Sequence, residues 1–207
     1  MSITKMSDSR IEGMKSRKKA VKRIFWKNTL KGAVMLIIVG LLLRYFVFLP
    51  SEINGISMSP ALQEGDQILV DTFTDIERFD VVVFRDKGAK PVVKRVIGLP
   101  GDTLYYHNDQ LFVNGEALEE PYLNSVADEG MSGLLTSNFT LDQVSGSPVI
   151  PEGEYFVLGD NRRYSFDSRH YGNIAKSSII GEVKLIYYPI DRFSLLKVKD
   201  EKQKNRE

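Results

Sequence analysis

Three short stretches of this chain hold residue types that can do chemistry. In Asn54–Leu62, NGISMSPAL, two serines bracket a methionine and a proline follows. Ser57 and Ser59 are each a hydroxyl nucleophile in need of a base. Lys94 lies in Pro91–Ile97, PVVKRVI. Along an extended chain Val92 and Val96 share its face, while Val93, Arg95 and Ile97 take the other. An amine held between valines on a buried face loses hydration, which lowers its pKa. A free lysine, at about 10.4, is protonated at neutral pH; bringing it to about 7–8, where it can act as a base, takes roughly 4 kcal/mol of desolvation. The third stretch, Gly159–Gly172, GDNRRYSFDSRHYG, is dense in Asp, Asn, Arg and Ser directly after an apolar run. Asp167 and Arg169, two apart, can form a bridge that fixes this loop. Residue by residue each stretch also has a plainer reading: a Ser/Gly/Pro loop, an edge-strand lysine reaching for water, and a hydrogen-bonded turn.

The elements that must position these groups read as strands. Gln67–Asp71, Asp80–Phe84 and Pro91–Ile97 are β-branched runs bounded by turn residues. Gln110–Val113 leads into the tight-turn dipeptide Asn114-Gly115, Glu154–Leu158 ends at Gly159-Asp160, and Gly181–Tyr188 is a late strand. Beyond residue 50 no long helical period occurs, although Ser177–Ile180 can close a single turn. The expectation is an all-β domain with antiparallel pairing, because crossover helices are missing. Val126–Ser147, rich in Ser, Gly, Asp and Thr, is expected to be an irregular surface excursion, and 197–207 a charged tail.

Ahead of that domain, Gly32–Leu49 is 18 residues with one charge, Arg44, and spans about 27 Å as a helix, close to a bilayer's hydrocarbon thickness. Arg44 can snorkel to the interface, where Trp26, Tyr45 and Phe46 also fit. Residues 1–31 carry ten Lys/Arg against Asp8 and Glu12, whereas from Pro50 onward 17 basic residues face 25 acidic ones. The positive-inside rule then keeps 1–31 in the cytoplasm and exports everything after Pro50. No small-x-small site follows in LPSEING, so the segment reads as an uncleaved anchor. The net charge of +1 suggests no nucleic-acid partner. There is no cysteine, which excludes disulfides, cysteine nucleophiles and thiolate metal sites. His107 and His170 are the only histidines; they lie in separate turn-like regions and leave no zinc set. Ser16-Arg17-Lys18-Lys19 matches an S-x-x-K motif, but by accident of a basic tail.

Taken in order, SM-x-P (Ser57–Pro60), KRVIGLPGD (Lys94–Asp102) and GDNR-x-x-S-x-DSR (Gly159–Arg169) resemble the successive boxes of bacterial type I signal peptidases, with the first box just past a membrane span as in that family. The resemblance covers the anchor and most of the exported domain, and is weakest over 103–150, expected to be a variable excursion. It implies an extracytoplasmic catalytic β domain (50–196) behind one transmembrane helix (32–49), in a bacterial cell membrane. It further implies a serine endopeptidase that removes signal peptides from exported preproteins after small-x-small sites, with no cofactor and no metal. Ser57 matches the nucleophile and Lys94 the general base; Ser165 matches the serine that hydrogen-bonds the lysine amine, and Asp167 and Arg169 match a supporting ion pair. Ile53, Met58, Leu62 and Val93 match positions lining the substrate pockets. The chain has Gly55 where the Gram-negative pattern has a serine hydroxyl, which leaves the second oxyanion donor open. Ser57 lies eight residues beyond Leu49, so it stands within roughly 26 Å of the anchor's end, at the bilayer surface where a signal peptide presents its scissile bond. The competing expectation is a catalytically silent membrane assembly factor of the same fold, which would have lost Ser57 or Lys94.

Overall fold

The computed structural model describes Trp26 and residues 28–40, 48–124 and 133–196. Most of the basic segment, Arg44, Tyr45, Phe46 and the charged tail lie outside the described residues. The chain forms two compact units, Met1–Phe46 and Val47–Glu207. In the first, residues 28–40 form a helix, α1, with exposed side chains. Among the described residues no helix is long and apolar enough to cross a membrane, and residues 41–47 of the expected span lie outside them.

The expected end of that span needs correcting. Phe48 and Leu49 open a strand, β1 (Phe48–Glu52), that pairs antiparallel with β2 (Gln67–Asp71), Phe48 opposite Asp71. Apolar residues suit a membrane helix and a sheet equally; here the hydrogen-bond ladder to β2 decides.

The remaining strands are β3 (Val81–Arg85), β4 (Pro91–Gly98), β5 (Leu104–His107), β6 (Gln110–Val113), β7 (Glu116–Leu118), β8 (Phe139–Thr140), β9 (Glu154–Leu158), β10 (Ile174–Ala175), β11 (Ile179–Tyr188) and β12 (Ser194–Leu195). The larger sheet runs β1-β2-β11-β3-β4-β9-β10 with β12 on β11, the smaller β7-β6-β5-β8. Each pairing is antiparallel, as expected for strands joined without crossover helices. Among the described residues beyond β1, helices are confined to α2 (Leu141–Ser145), α3 (Ser168–Tyr171) and 3-10 turns, one of them at Lys176–Ser178, close to the single turn expected there.

The stretch expected to be an irregular excursion is partly core. Residues 125–132 lie outside the described residues, but β8 adds to β5, and Thr136, Phe139 and Leu141 are buried. A two-residue strand and a five-residue helix are too short to leave a period in the sequence.

β4 carries Lys94 and has β3 on one side and β9 on the other. Its buried stretch from Lys94 to Gly98 follows from that central place, where both faces are covered. On the face of Lys94, Val96 packs with Val82, Phe84, Tyr155, Val157 and Ile174, with Val92 against them. Ile97, on the other face, joins Leu104, Tyr106, Leu111 and Phe156 of the layer shared with the smaller sheet.

Candidate active site

The loop between β1 and β2 presents Ser57 at the head of a turn: Ser59 N–H donates to Ile56 O at 3.1 Å and Leu62 N–H to Met58 O at 2.9 Å. Met58 and Leu62 point inward and anchor the turn in a core with Ile53, Ile68, Val70, Val81, Val83, Val183 and Ile186. Its base is tied by Ile53 N–H to Asp66 O at 2.9 Å, and Asp66 is clamped by Arg192, Nε to Oδ1 at 2.8 Å. The nucleophile candidate therefore sits on a turn whose apolar residues are fixed below it.

Across 37 residues of chain, Lys94 Nζ donates to Ser57 Oγ at 2.8 Å, and to Val93 O at 3.0 Å. Lys94 is only 3% exposed. Burial lowers its pKa from 10.5 to about 8, against the opposing pull of the Asp167 and Asp160 carboxylates. The valine-flanked amine inferred from β alternation is thus dry, and it meets Ser57 rather than Ser59.

The third stretch closes over this pair. Asp167 caps α3, accepting from Arg169 N–H at 3.3 Å, and its carboxylate takes the Arg169 guanidinium in two bonds of 2.8 Å each. It also accepts Gly159 N–H at 3.1 Å. The expected ion pair is present, and it braces the loop. Ser165 departs from its expected role. It is buried beside the site, but its hydroxyl has no hydrogen-bond partner among the described residues, and the amine is satisfied by Ser57 and Val93 instead. The proximity is nevertheless tight: a Cβ at Gly159 would lie 2.2 Å from Ser165 Oγ and 2.4 Å from Ser57 O. Glycine at 159 is what lets the third stretch pack this closely against the turn of Ser57.

Of the four residues expected to line substrate pockets, Ile53, Met58 and Leu62 are core residues, Leu62 without exposed surface. Val93, packed against the same cluster, is half-buried. The turn's inward side chains fill the space beneath Ser57, so three of the four form a floor and one meets the surface. Neither histidine joins Ser57: His170 stacks on Phe166 with ring centroids 4.8 Å apart, and His107 contacts Asn108.

Two features escaped sequence reading. Arg95, 1% exposed, forms a bidentate pair with Asp160, Nε to Oδ1 at 2.8 Å and Nη2 to Oδ2 at 2.5 Å, and lies 4.0 Å over the Tyr122 ring. Arg162, equally buried, donates to Glu120 Oε1 at 2.5 Å, Tyr106 OH at 2.9 Å, Thr136 Oγ1 at 3.0 Å and Gly159 O at 3.1 Å. The arginines flank Asp160 and Asn161 and lock this part of the third stretch to both sheets. Their one signal was the consecutive GDNR after an apolar strand, which holds Arg162 and the partner of Arg95, Asp160; the two pairs span 65 and 42 residues of chain.

Comparison with known proteins gives consistent matches. The family described as signal peptidase, peptidase S26, matches residues 26–188. Signal peptidase I V of Bacillus subtilis (strain 168) is 40% identical over 167 residues, 79% of this chain and 98% of that protein. Signal peptidase I of Bacillus caldolyticus is 44% identical over 156 residues, 73% of this chain and 86% of that protein. The crystal structure of a signal peptidase I from Enterococcus faecalis V583 superposes with a TM-score of 0.50 at 41% identity, covering 53% of this chain and 97% of that one.

Proposed function

The chain belongs to the signal peptidase family of S26 peptidases, and on that premise we propose that it removes signal peptides from exported preproteins with Ser57 as nucleophile and Lys94 as general base. Its activity is that of a serine endopeptidase. The observation that carries the assignment is the 2.8 Å contact between a buried amine and a hydroxyl. With a pKa near 8, about a tenth of the amine is neutral at pH 7 and has a lone pair to accept the Oγ proton. Oγ then attacks the scissile carbonyl carbon, and the carbonyl electrons move onto oxygen. Collapse of this oxyanion expels the new amine, which takes the proton back from Lys94. Water, deprotonated by Lys94, then attacks the acyl carbon; the acyl–Oγ bond breaks, the carboxyl product leaves, and Lys94 returns the proton to Ser57 Oγ. Asp167 and Arg169 act by holding the loop that covers the pair. A silent assembly factor is not favoured, since Ser57 and Lys94 are both retained.

Small side chains on the acyl side would rest on Val93 above the floor of Ile53, Met58 and Leu62, which fits cleavage after small-x-small sites. The charge asymmetry about residues 32–47 supports a single-pass anchor in the lipid bilayer of the cell membrane, with 1–31 cytoplasmic and the β domain extracytoplasmic. Purified full chain incubated with a precursor carrying an alanine-x-alanine site tests the chemistry. Ser57→Ala and Lys94→Ala abolish cleavage while Ser59→Ala retains it; wild-type processing by Lys94→Ala ends the dyad assignment. Protease added to intact spheroplasts digests the part after Pro50, and protection of that part reverses the topology.

A further inference from the structure

A serine nucleophile needs its neighbouring backbone held still, because the oxyanion is stabilised by donors that must not reorganise during the reaction. Here the segment before the nucleophile has little of its own to hold it. Gly55 sits at φ +94° with open space where a Cβ would be, so no side chain there packs against the peptide planes that follow. Besides the Ser59 N–H bond within the turn, what restrains them comes from the third stretch. Asn161 Nδ2 donates to Ile56 O at 3.1 Å, and Asn161 N–H donates to Ser57 O at 3.0 Å. One residue therefore grips the carbonyls of both peptide units that flank the nucleophile.

The geometry converts this grip into an aim. The Ile56–Ser57 peptide is trans, so Ser57 N–H points opposite to Ile56 C=O. Fixing the carbonyl fixes the N–H. That N–H has no acceptor among the described residues, which leaves it available to a substrate oxygen. Asn161 is itself well anchored. Its neighbours Asp160 and Arg162 are both locked in buried ion pairs, and its carbonyl accepts Tyr164 N–H at 3.0 Å.

We infer that Asn161 is a positioning residue of the oxyanion hole, its side-chain amide orienting the Ile56–Ser57 peptide so that Ser57 N–H faces the developing oxyanion. The inference rests on Ser57 being the nucleophile. Ser59 N–H also donates to Ile56 O, at 3.1 Å, so loss of the amide leaves one restraint. The effect is accordingly smaller than the 10²–10³-fold typical of deleting an oxyanion donor outright.

The test uses the full chain in detergent with two variants, Asn161→Ala and the near-isosteric Asn161→Leu. Both keep the backbone N–H to Ser57 O. Four readouts are compared: kcat and KM on an alanine-x-alanine peptide, the pH midpoint of kcat/KM, the melting temperature, and inhibition by a peptide aldehyde against the corresponding alcohol. The aldehyde forms a tetrahedral adduct on Ser57 and needs the oxyanion hole, whereas the alcohol binds without one. The expected result is a fall in kcat of roughly 10–100-fold, with KM, pH midpoint and alcohol affinity within about twofold. Aldehyde affinity falls by a factor similar to kcat. Wild-type kcat in both variants, equal weakening of aldehyde and alcohol, or a shifted pH midpoint that accounts for the loss overturns it. Ser57→Ala run alongside separates the two levels: if it still cleaves, the nucleophile assignment fails and this inference with it. If it is inactive while both Asn161 variants match wild type, the inference alone fails.

Discussion

Replacing Lys94 by methionine should make the protein more stable and useless. Holding the amine 3% exposed moves its pKa from 10.5 to about 8, so at pH 7 the folded state carries an ammonium that burial disfavours by roughly 3 kcal/mol. Methionine has a similar length and no charge to desolvate. It forfeits the bonds to Ser57 Oγ and Val93 O, each worth about 0.5–1 kcal/mol net. The balance at pH 7 favours Lys94→Met by roughly 1–2 kcal/mol, a rise in melting temperature of about 2–8 °C for a domain of this size. The sign with pH follows from proton counting. Below pH 8 both folded and unfolded chains hold the proton, and the penalty is complete. Between about 8 and 10.5 the unfolded chain binds more protons, so wild-type stability climbs with pH and the advantage of methionine shrinks. Thermal melts followed by near-ultraviolet tyrosine dichroism at pH 7, 9 and 10.5, with a cleavage assay at each, measure both halves. A variant that melts at or below wild type at pH 7, or keeps its lead undiminished at pH 10.5, would refute the claim that dryness tunes this amine.

Wild-type kcat/KM should rise about tenfold from pH 7 to 9 with a midpoint near 8, as the neutral amine grows from roughly a tenth to nine tenths of the total; a flat profile from pH 6 to 9 contradicts a lysine base. Gly159→Ala, which forces a Cβ to within 2.2 Å of Ser165 Oγ and 2.4 Å of Ser57 O, should cost about 1–3 kcal/mol in denaturant titrations and lower kcat/KM more than about a hundredfold by displacing the nucleophile's backbone. Asp160→Asn leaves the Arg95 guanidinium buried without its countercharge and should lose about 3–5 kcal/mol, read as a lower urea midpoint at unchanged slope.

The chemistry of this chain was more legible than its architecture. Gln67–Asp71, Gln110–Val113 and Glu154–Leu158 were readable to the residue, because β-branched and aromatic runs there are cut off sharply by Gly, Asn and Asp. β4 was readable with its facing, which places Lys94 and Arg95 on opposite sides. β1 was not, since Phe48 and Leu49 continue an apolar run and only pairing with β2 distinguishes strand from helix. β8, β10 and β12, each two residues long, exist by virtue of their neighbours and leave no local pattern. The meeting of Ser57 and Lys94 was legible through its boxes, but the buried Arg95–Asp160 and Arg162–Glu120 pairs were not: what makes an arginine internal is a partner far along the chain. Ser165 illustrates the limit from the other side, as its place was legible but its bonding was not.

Lys94 and Arg95 are successive basic residues on one strand, one holding its proton loosely because it is dry and the other kept charged by the Asp160 clamp. A strand has a reading frame of two. Were β4 mis-threaded by a single position, a guanidinium would occupy the proton acceptor's seat, and guanidinium does not surrender its proton. Under the proposed chemistry a molecule assembled in that frame has no base beside Ser57, so cleavage would appear only once the sheet is correctly built.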